Sequence, residues 1–378
     1  MILIVVLDQL GGWSELENII RAQKTGYGDD TMMNLMRSPH DPQFPWTGVL
    51  LGSAVIGFWY WCTDQYIVQR TLSAANINQA RKGTIFAGYL KLLPVFIFLI
   101  PGMIAFALNQ KGMLNLEQPD DAFPLLVSEL LPAGVKGIVV GGIIAALMSS
   151  LGSLFNSSAT LFTVDFYKKF RPNTPEKKLV YIGRVATAVI VVLGILWIPV
   201  MESIGDFLYV YLQDIQSLLA PGIATVFAFG VFWKRTTAKA GLWTLIISFI
   251  LGMFRLFFRV ITNVFVVPAK VGGDQVLTWI HDKAANPAGL NAFETFSVKF
   301  MAINWLHYEL ILLGICVILI VVISLFTEKP DKEKIKGLTF ATLTQEQRAE
   351  NRASIKIWDI INTLIVIGII VAFYAYFW

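Results

Sequence analysis

Three residues of one apolar segment have the types and spacing to bind a small cation. Ala146, Ser149 and Ser150 lie within the run 134–163 and are spaced i, i+3 and i+4. In a helix this spacing places them on one face, where a main-chain carbonyl and two hydroxyls can share a ligand. Neutral oxygens hold a monovalent ion weakly enough to release it, whereas carboxylate clusters suit calcium. The pattern therefore favours sodium over a divalent metal.

The same segment also has a pattern that is typical of helix packing. Small residues recur every four positions, at Gly141, Ala145, Ser149 and Ser153 and again at Gly142, Ala146 and Ser150. Spacing of this kind ordinarily lets two helix backbones approach closely. Close packing and ion binding are compatible, so both interpretations stay open.

A second group of candidate residues closes an earlier apolar run. Tyr60 and Asp64 share one helical face, and Trp61 and Gln65 share another. Aromatic residues near a membrane end usually form an interfacial belt. Alternatively, the Tyr60 ring can lie against the C–H face of a sugar while its hydroxyl forms a hydrogen bond, as in the mixed lining of a ligand pocket. Gly57, one turn earlier, leaves room beside the ring.

Two further polar positions lie inside apolar segments, where ionisable groups are costly and indicate function by default. Lys91 either extends its ammonium group to the membrane interface or donates hydrogen bonds to a polar substrate. Gln213 and Asp214 precede Pro221-Gly222, which predicts a discontinuity in their helix. The Gln213 amide suits a neutral polyhydroxyl ligand, because it both donates and accepts; hydrogen bonding between helices is the alternative.

These residues need membrane-spanning helices to position them. The chain is 56% hydrophobic and only 15% charged, and its mean hydropathy is +0.63, which indicates an all-α integral membrane protein with the lipid bilayer as its partner. Segments of about 20 apolar residues predict eight spans, near 47–66, 84–108, 134–163, 180–200, 206–233, 239–260, 306–326 and 357–378. Pro94 and Pro101 should kink the second span.

Basic residues support this topology, because they accumulate in cytoplasmic loops. Loops 67–83, 164–184, 233–240 and 327–356 hold three, six, three and seven of them, which is nineteen of the thirty in the chain. The basic residues form no patch or stripe, so we expect no nucleic-acid partner. Cys62 and Cys316 lie far apart in apolar segments and are interpreted as packing residues.

Phosphate-loop, zinc-protease and nucleophile-elbow motifs are missing from the sequence, and no nucleophile, acid and base gather at one depth. We therefore expect a transporter with no catalytic residues, no cofactor and sodium as the coupling ion, and not an enzyme.

The combined motifs resemble the sodium:solute symporter family, in its sodium/glucose cotransporter branch. The resemblance is carried by four segments and covers most of the chain in the right order and spacing. They are Trp59-Tyr-Trp-Cys-Thr-Asp-Gln-Tyr-Ile-Val-Gln-Arg-Thr-Leu72, the serine-rich run from Ser149 to Tyr167, Tyr211-Leu-Gln-Asp214 and Phe232-Trp-Lys-Arg-Thr236.

The resemblance implies roles for the candidate residues. Ala146, Ser149 and Ser150 match sodium ligands of the family, and the sugar-contacting positions match Tyr60, Trp61, Lys91 and Gln213. Gly57 departs from the pattern, since some bacterial members place a sugar-contacting Asn there. The expected protein is a multi-pass symporter of the plasma or inner cell membrane that carries sodium with a glucose- or galactose-like sugar.

The resemblance also implies the leucine-transporter-like fold of two inverted five-helix repeats. Residues 47–233 would form the second repeat, 234–378 three peripheral helices, and 1–46 the remnant of a helix, Ile2 to Leu7, and an outer loop. The first repeat would be missing, as in an N-terminally truncated polypeptide. The alternatives are a symporter of inositol, an amino acid or a carboxylate, and a sodium channel or sensor on the same scaffold.

Overall fold

The computed structural model describes residues 10–25, 30–204, 208–268, 270–271 and 275–377, which are predominantly helical. The predicted helix remnant from Ile2 to Leu7 lies outside these residues. The helices are α1 (Trp13–Arg21), α2 (Trp46–Cys62), α3 (Gln65–Leu72), α4 (Ile77–Leu90), α5 (Ile100–Gln110), α6 (Ala122–Leu130), α7 (Ala133–Thr160), α8 (Glu176–Ile204), α9 (Leu208–Phe232), α10 (Ala238–Ile261), α11 (Gln275–Ala285), α12 (Ala292–Met301), α13 (Trp305–Phe326), α14 (Gln345–Ser354) and α15 (Ile357–Tyr376).

Seven helical segments among the described residues are long and apolar enough to cross a membrane. They are Ile77–Gln110, Ala133–Phe170, Glu176–Pro199, Leu208–Phe232, Ala238–Val266, Trp305–Phe326 and Ile357–Tyr376. Each coincides with a predicted span. The segment that begins at Ala133 has 38 residues, so it exceeds the thickness of the hydrocarbon core and must tilt or extend beyond it.

The predicted span 47–66 is shorter in the structure, where α2 has 17 residues and ends at Cys62. The cause is Asp64, whose side chain accepts a hydrogen bond of 3.0 Å from the Tyr66 main-chain N–H and starts α3. Asp is a preferred N-cap because it satisfies an unpaired N–H at a helix start. A length of 17 residues is at the lower limit for crossing a bilayer.

The second predicted span is irregular at its prolines, as expected. Pro94 has no N–H for the carbonyl of Leu90, and α4 ends at that residue. The chain then makes a turn and continues as a π-helix over Val95–Leu99, before α5 begins with Pro101 in its first turn.

The predicted discontinuity at Pro221-Gly222 is absent, because α9 is continuous from Leu208 to Phe232. Pro221 and Gly222 are buried where α9 packs against α2, α10 and α13. Packing on several sides holds the course of a helix that has lost one hydrogen bond.

Helices α2, α9, α10 and α13 pack on one another most extensively and form the central bundle. Small residues allow the close approach. A Cβ atom at Gly48 would lie 2.6 Å from the Leu306 Cβ, and one at Gly252 would lie 2.5 Å from the Leu218 carbonyl oxygen. Gly48 and Gly52 form a GxxxG pair, a spacing that favours close helix contact in membranes.

A loop on the basic-residue side joins this bundle to α4. The Phe340 ring of the loop stacks on Phe232 at the end of α9, with centroids 5.1 Å apart and planes at 5°. Arg81 of α4 donates hydrogen bonds to Ser354 Oγ (2.9 Å) and Asn351 Oδ1 (3.1 Å) of α14. The loop 327–356 therefore contacts both elements.

Candidate functional site

Tyr60, Trp61 and Lys91, here called the aromatic–lysine group, come together in the structure. Tyr60 and Trp61 occupy the last turn of α2, where their rings meet edge to face with centroids 5.3 Å apart. The Lys91 Nζ lies 5.9 Å from the Tyr60 ring centroid and 5.4 Å from that of Trp61. Both distances are within the range of a cation–π contact.

The position of Lys91 follows from the local sequence. Lys91 is the C-cap residue of α4, and its main-chain N–H still donates to the Ala87 carbonyl at 2.9 Å. Pro94 comes three residues later, which is the usual place for a proline after a helix end. The turn directs the Lys91 side chain to the end of α2, and the ammonium group makes no hydrogen bond within the described residues.

This arrangement suits a hydroxylated ligand. A tyrosine ring offers a flat apolar surface to C–H groups, and its hydroxyl both donates and accepts hydrogen bonds. The Lys91 ammonium adds hydrogen-bond donors beside these rings. Trp61 and Lys91 are both exposed, so the group forms one open wall and not an enclosed pocket.

Ala146, Ser149 and Ser150 lie along α7 as the spacing predicts, and all three are exposed. No other helix within the described residues covers this part of α7, and a Cβ at Gly141 or Gly142 would meet no atom within 4 Å. The small residues thus make no close helix contact here. The face carries the predicted oxygens but is open on one side.

Helix α3 connects this face to the end of α2. Arg70 Nη2 donates a hydrogen bond of 2.9 Å to Ser153 Oγ, which in turn donates to the Ser149 carbonyl at 2.9 Å. The Arg70 guanidinium also lies 4.8 Å from the Tyr66 ring centroid. The serine face and the aromatic–lysine group are thereby linked through α3, although they share no contact.

Gln213 is half-buried on α9, where its amide nitrogen lies 3.4 Å from the Tyr209 hydroxyl on the same helix. The structure does not bring it into contact with the aromatic–lysine group. Its neighbour Asp214 is buried and forms an ion pair with Arg259 of α10. Asp214 thus has a helix-to-helix role, which was the alternative for this pair of residues.

Sequence reasoning missed three ionisable residues inside spans. Arg255 and Arg259 lie in α10, and Glu309 lies in α13 with 0% of its surface exposed. Both carboxylate oxygens of Glu309 lack a hydrogen-bond partner within the described residues. The signal was available, because each of the three is a charged residue within a predicted span and therefore costly to bury.

Comparisons with known proteins agree with this architecture. A family model described as the sodium:solute symporter family matches residues 1–248. The human sodium/myo-inositol cotransporter 2 is 39% identical over 331 residues, which cover 84% of this chain and 46% of that protein. A sodium/mannose cotransporter from Bos taurus is 33% identical over 407 residues (99% and 64%), and sodium/glucose cotransporter 4 from Danio rerio is 35% identical over 333 residues (84% and 47%).

The chain spans about half the length of the inositol cotransporters it matches. The family model nevertheless covers well over half of the chain, and the apolar helices make it a multi-pass membrane protein. The chain belongs to the sodium:solute symporter family.

Proposed function

We propose that this chain takes part in sodium-coupled symport of a sugar or cyclic polyol across the plasma membrane. The observation that carries the proposal is the aromatic–lysine group, in which an ammonium lies over two rings at the end of α2. The relatives named as inositol, mannose and glucose cotransporters support the same class of solute.

The aromatic–lysine group and Gln213 are proposed to contact the solute. Tyr60 and Trp61 would cover its C–H face, while Lys91 and Gln213 would hydrogen-bond its hydroxyls. Among the relatives' solutes, myo-inositol and the hexoses all combine such faces, so the lining alone does not select one of them.

The serine face of α7 is proposed to be one side of the sodium site. Ala146 would offer its carbonyl oxygen, and Ser149 and Ser150 their hydroxyls. The exposure of this face supports a site that is completed by further helices, as in the leucine-transporter-like fold with residues 47–233 as its second repeat. Because sodium and solute would favour the same conformation, each would tighten the binding of the other.

The test is uptake into membrane vesicles with myo-inositol, mannose and glucose, with and without a sodium gradient. Replacing Lys91 with Gln should raise the solute concentration needed for half-maximal uptake by about tenfold, the usual cost of a hydrogen bond to a charged group. Lys82→Gln on the exposed part of α4 is the matched control. Equal effects of the two substitutions would remove Lys91 from the solute site.

The sodium arm uses α7. Ser150→Ala should weaken the dependence of uptake on sodium, while Ser158→Ala, two turns further along the same helix, should not. Gln213→Ala should weaken the affinity for solute more than that for sodium. An unchanged sodium dependence in Ser150→Ala would contradict the ligand role.

A carboxylate-bearing solute is the second candidate, since the Lys91 ammonium is exposed and makes no hydrogen bond within the described residues. Uptake of a labelled carboxylate that competes with inositol would favour it. Sodium current without accumulation of any solute would instead indicate a channel or sensor.

A further inference from the structure

A second site for a ligand lies away from the aromatic–lysine group, in a cavity between α9, α10 and the outer helix α11. Its wall includes Asp214, Arg255, Arg259, Asn263 and His281. The space open to the centres of water-sized molecules is about 60 Å³. Since one water needs about 10–15 Å³ on this measure, the cavity holds a few waters or a small ion and is too small for a hexose.

The charges of this wall do not balance. Asp214 is the carboxylate among the lining residues, and it pairs with Arg259. Arg255 is therefore a second positive charge that shares this one carboxylate. A buried cation without a full counter-charge is costly, so the cavity favours a negative occupant.

Arg255 is held in place but incompletely bonded. Only 4% of its surface is exposed. Its Nη2 donates to the Ile303 carbonyl at 2.6 Å, and its guanidinium carbon lies 4.2 Å from the Tyr308 ring centroid. Its Nη1 is buried and has no hydrogen-bond partner within the described residues.

A second unmet group lies on the same wall. His281 Nε2 is buried and also has no partner in the described part of the chain. The other polar side chain from this side, Asn304, is fully used, because its amide donates to the Pro42 and Gln43 carbonyls and its oxygen accepts from the Leu306 N–H. The unmet donors of the cavity are thus a guanidinium N–H and an imidazole nitrogen.

We propose that this cavity binds one small monovalent anion, chloride in physiological salt, between Arg255 and His281. Size excludes the sugars and polyols, and the excess positive charge excludes a cation. Asp214 limits the affinity by repulsion. The proposal is independent of which solute the protein carries, and its test needs no transport.

The test titrates the purified full chain with chloride in place of gluconate at constant ionic strength, which keeps general screening constant. The melting midpoint, read from tryptophan fluorescence, should rise with chloride and saturate, because an ion that binds the folded state stabilises it. Arg255→Gln should weaken the apparent affinity for chloride about tenfold or more, the loss expected for a charge-assisted hydrogen bond. Asp214→Asn should tighten it.

Arg235→Gln is the matched control. Arg235 also donates to main-chain carbonyls, those of Leu325 and Thr327, and also has a buried Nη1 without a partner among the described residues, but it does not line the cavity. Its substitution should lower the midpoint without changing the chloride affinity. Equal loss of the chloride response in both variants would overturn the site.

A measurement on the unaltered chain keeps the proposal testable if Arg255→Gln does not fold. The chloride NMR line should broaden on adding protein, and bromide should reverse the broadening by displacement. Arg255→Lys, which keeps the charge, should retain weaker binding. A wild-type protein whose melting midpoint and chloride line are the same as in gluconate would refute the proposal.

Discussion

Substitution of Gly48 by Ala tests the close contact between α2 and α13. Two effects oppose each other. Alanine is favoured over glycine inside a helix by about 1 kcal/mol. The new Cβ would lie 2.6 Å from the Leu306 Cβ, well inside the roughly 3.5–4.0 Å optimum for two carbons, and overpacking of this kind costs about 1–3 kcal/mol.

Gly57→Ala isolates the second effect, because it lies on the same helix and a Cβ there would meet no atom within 4 Å. Both variants gain the same helix preference. The difference between them is therefore the overlap itself, about 1–3 kcal/mol against Gly48→Ala. We expect Gly57→Ala to raise the thermal unfolding midpoint and Gly48→Ala to lower it relative to Gly57→Ala.

The assay is thermal unfolding in detergent, followed by tryptophan fluorescence at one scan rate, since unfolding of membrane proteins is often irreversible. Leu306→Ala supplies the second arm, because it shortens the side chain that faces Gly48. The cost of Gly48→Ala should shrink in that background by about 0.5–3 kcal/mol, as for residues in contact. Equal midpoints for the two glycine variants, or an unchanged cost beside Ala at 306, would refute the reasoning.

Two further predictions concern buried ionisable groups. Glu309→Met removes two carboxylate oxygens that have no hydrogen-bond partner in the described chain, so it should stabilise the fold by about 1–3 kcal/mol; a lower melting midpoint would show that the carboxyl group is bonded in the protein. Burial lowers the pKa of His281 below its ordinary 6.5, against the opposing effect of Asp282 and Asp41. The unfolded chain therefore binds the proton more readily, so stability should fall as the pH decreases below about 6.5. His281→Gln should flatten this part of the plot of melting midpoint against pH, and an unchanged slope would contradict the assignment.

Much of the helical framework could be predicted from the sequence, because a segment must be apolar over about 20 residues to cross hydrocarbon. The meeting of Lys91 with Tyr60 and Trp61 also follows in part, since one residue lies near the start of a span and the others at the end of the preceding one. Hydropathy could not show the end of α2, because the N-cap at Asp64 depends on one side chain.

Other features depend on contacts between distant segments. The continuity of α9 through Pro221 results from neighbouring helices, whereas a local rule predicts a break. The pairing of Asp214 with Arg259 joins residues 45 positions apart, and the spacing of neither residue indicates the other. The roles of Ala146, Ser149 and Ser150 stay predictions, because the described helices leave that face exposed.

The loop 327–356 has a mechanical consequence. The Phe232–Phe340 stack fastens it to the end of α9, while Arg81 fastens it to the start of α4. Displacement of α4 against the bundle must therefore carry α14 along or break these bonds. A crosslink between α14 and α4 would leave such a displacement free, whereas one that also includes α9 would arrest it.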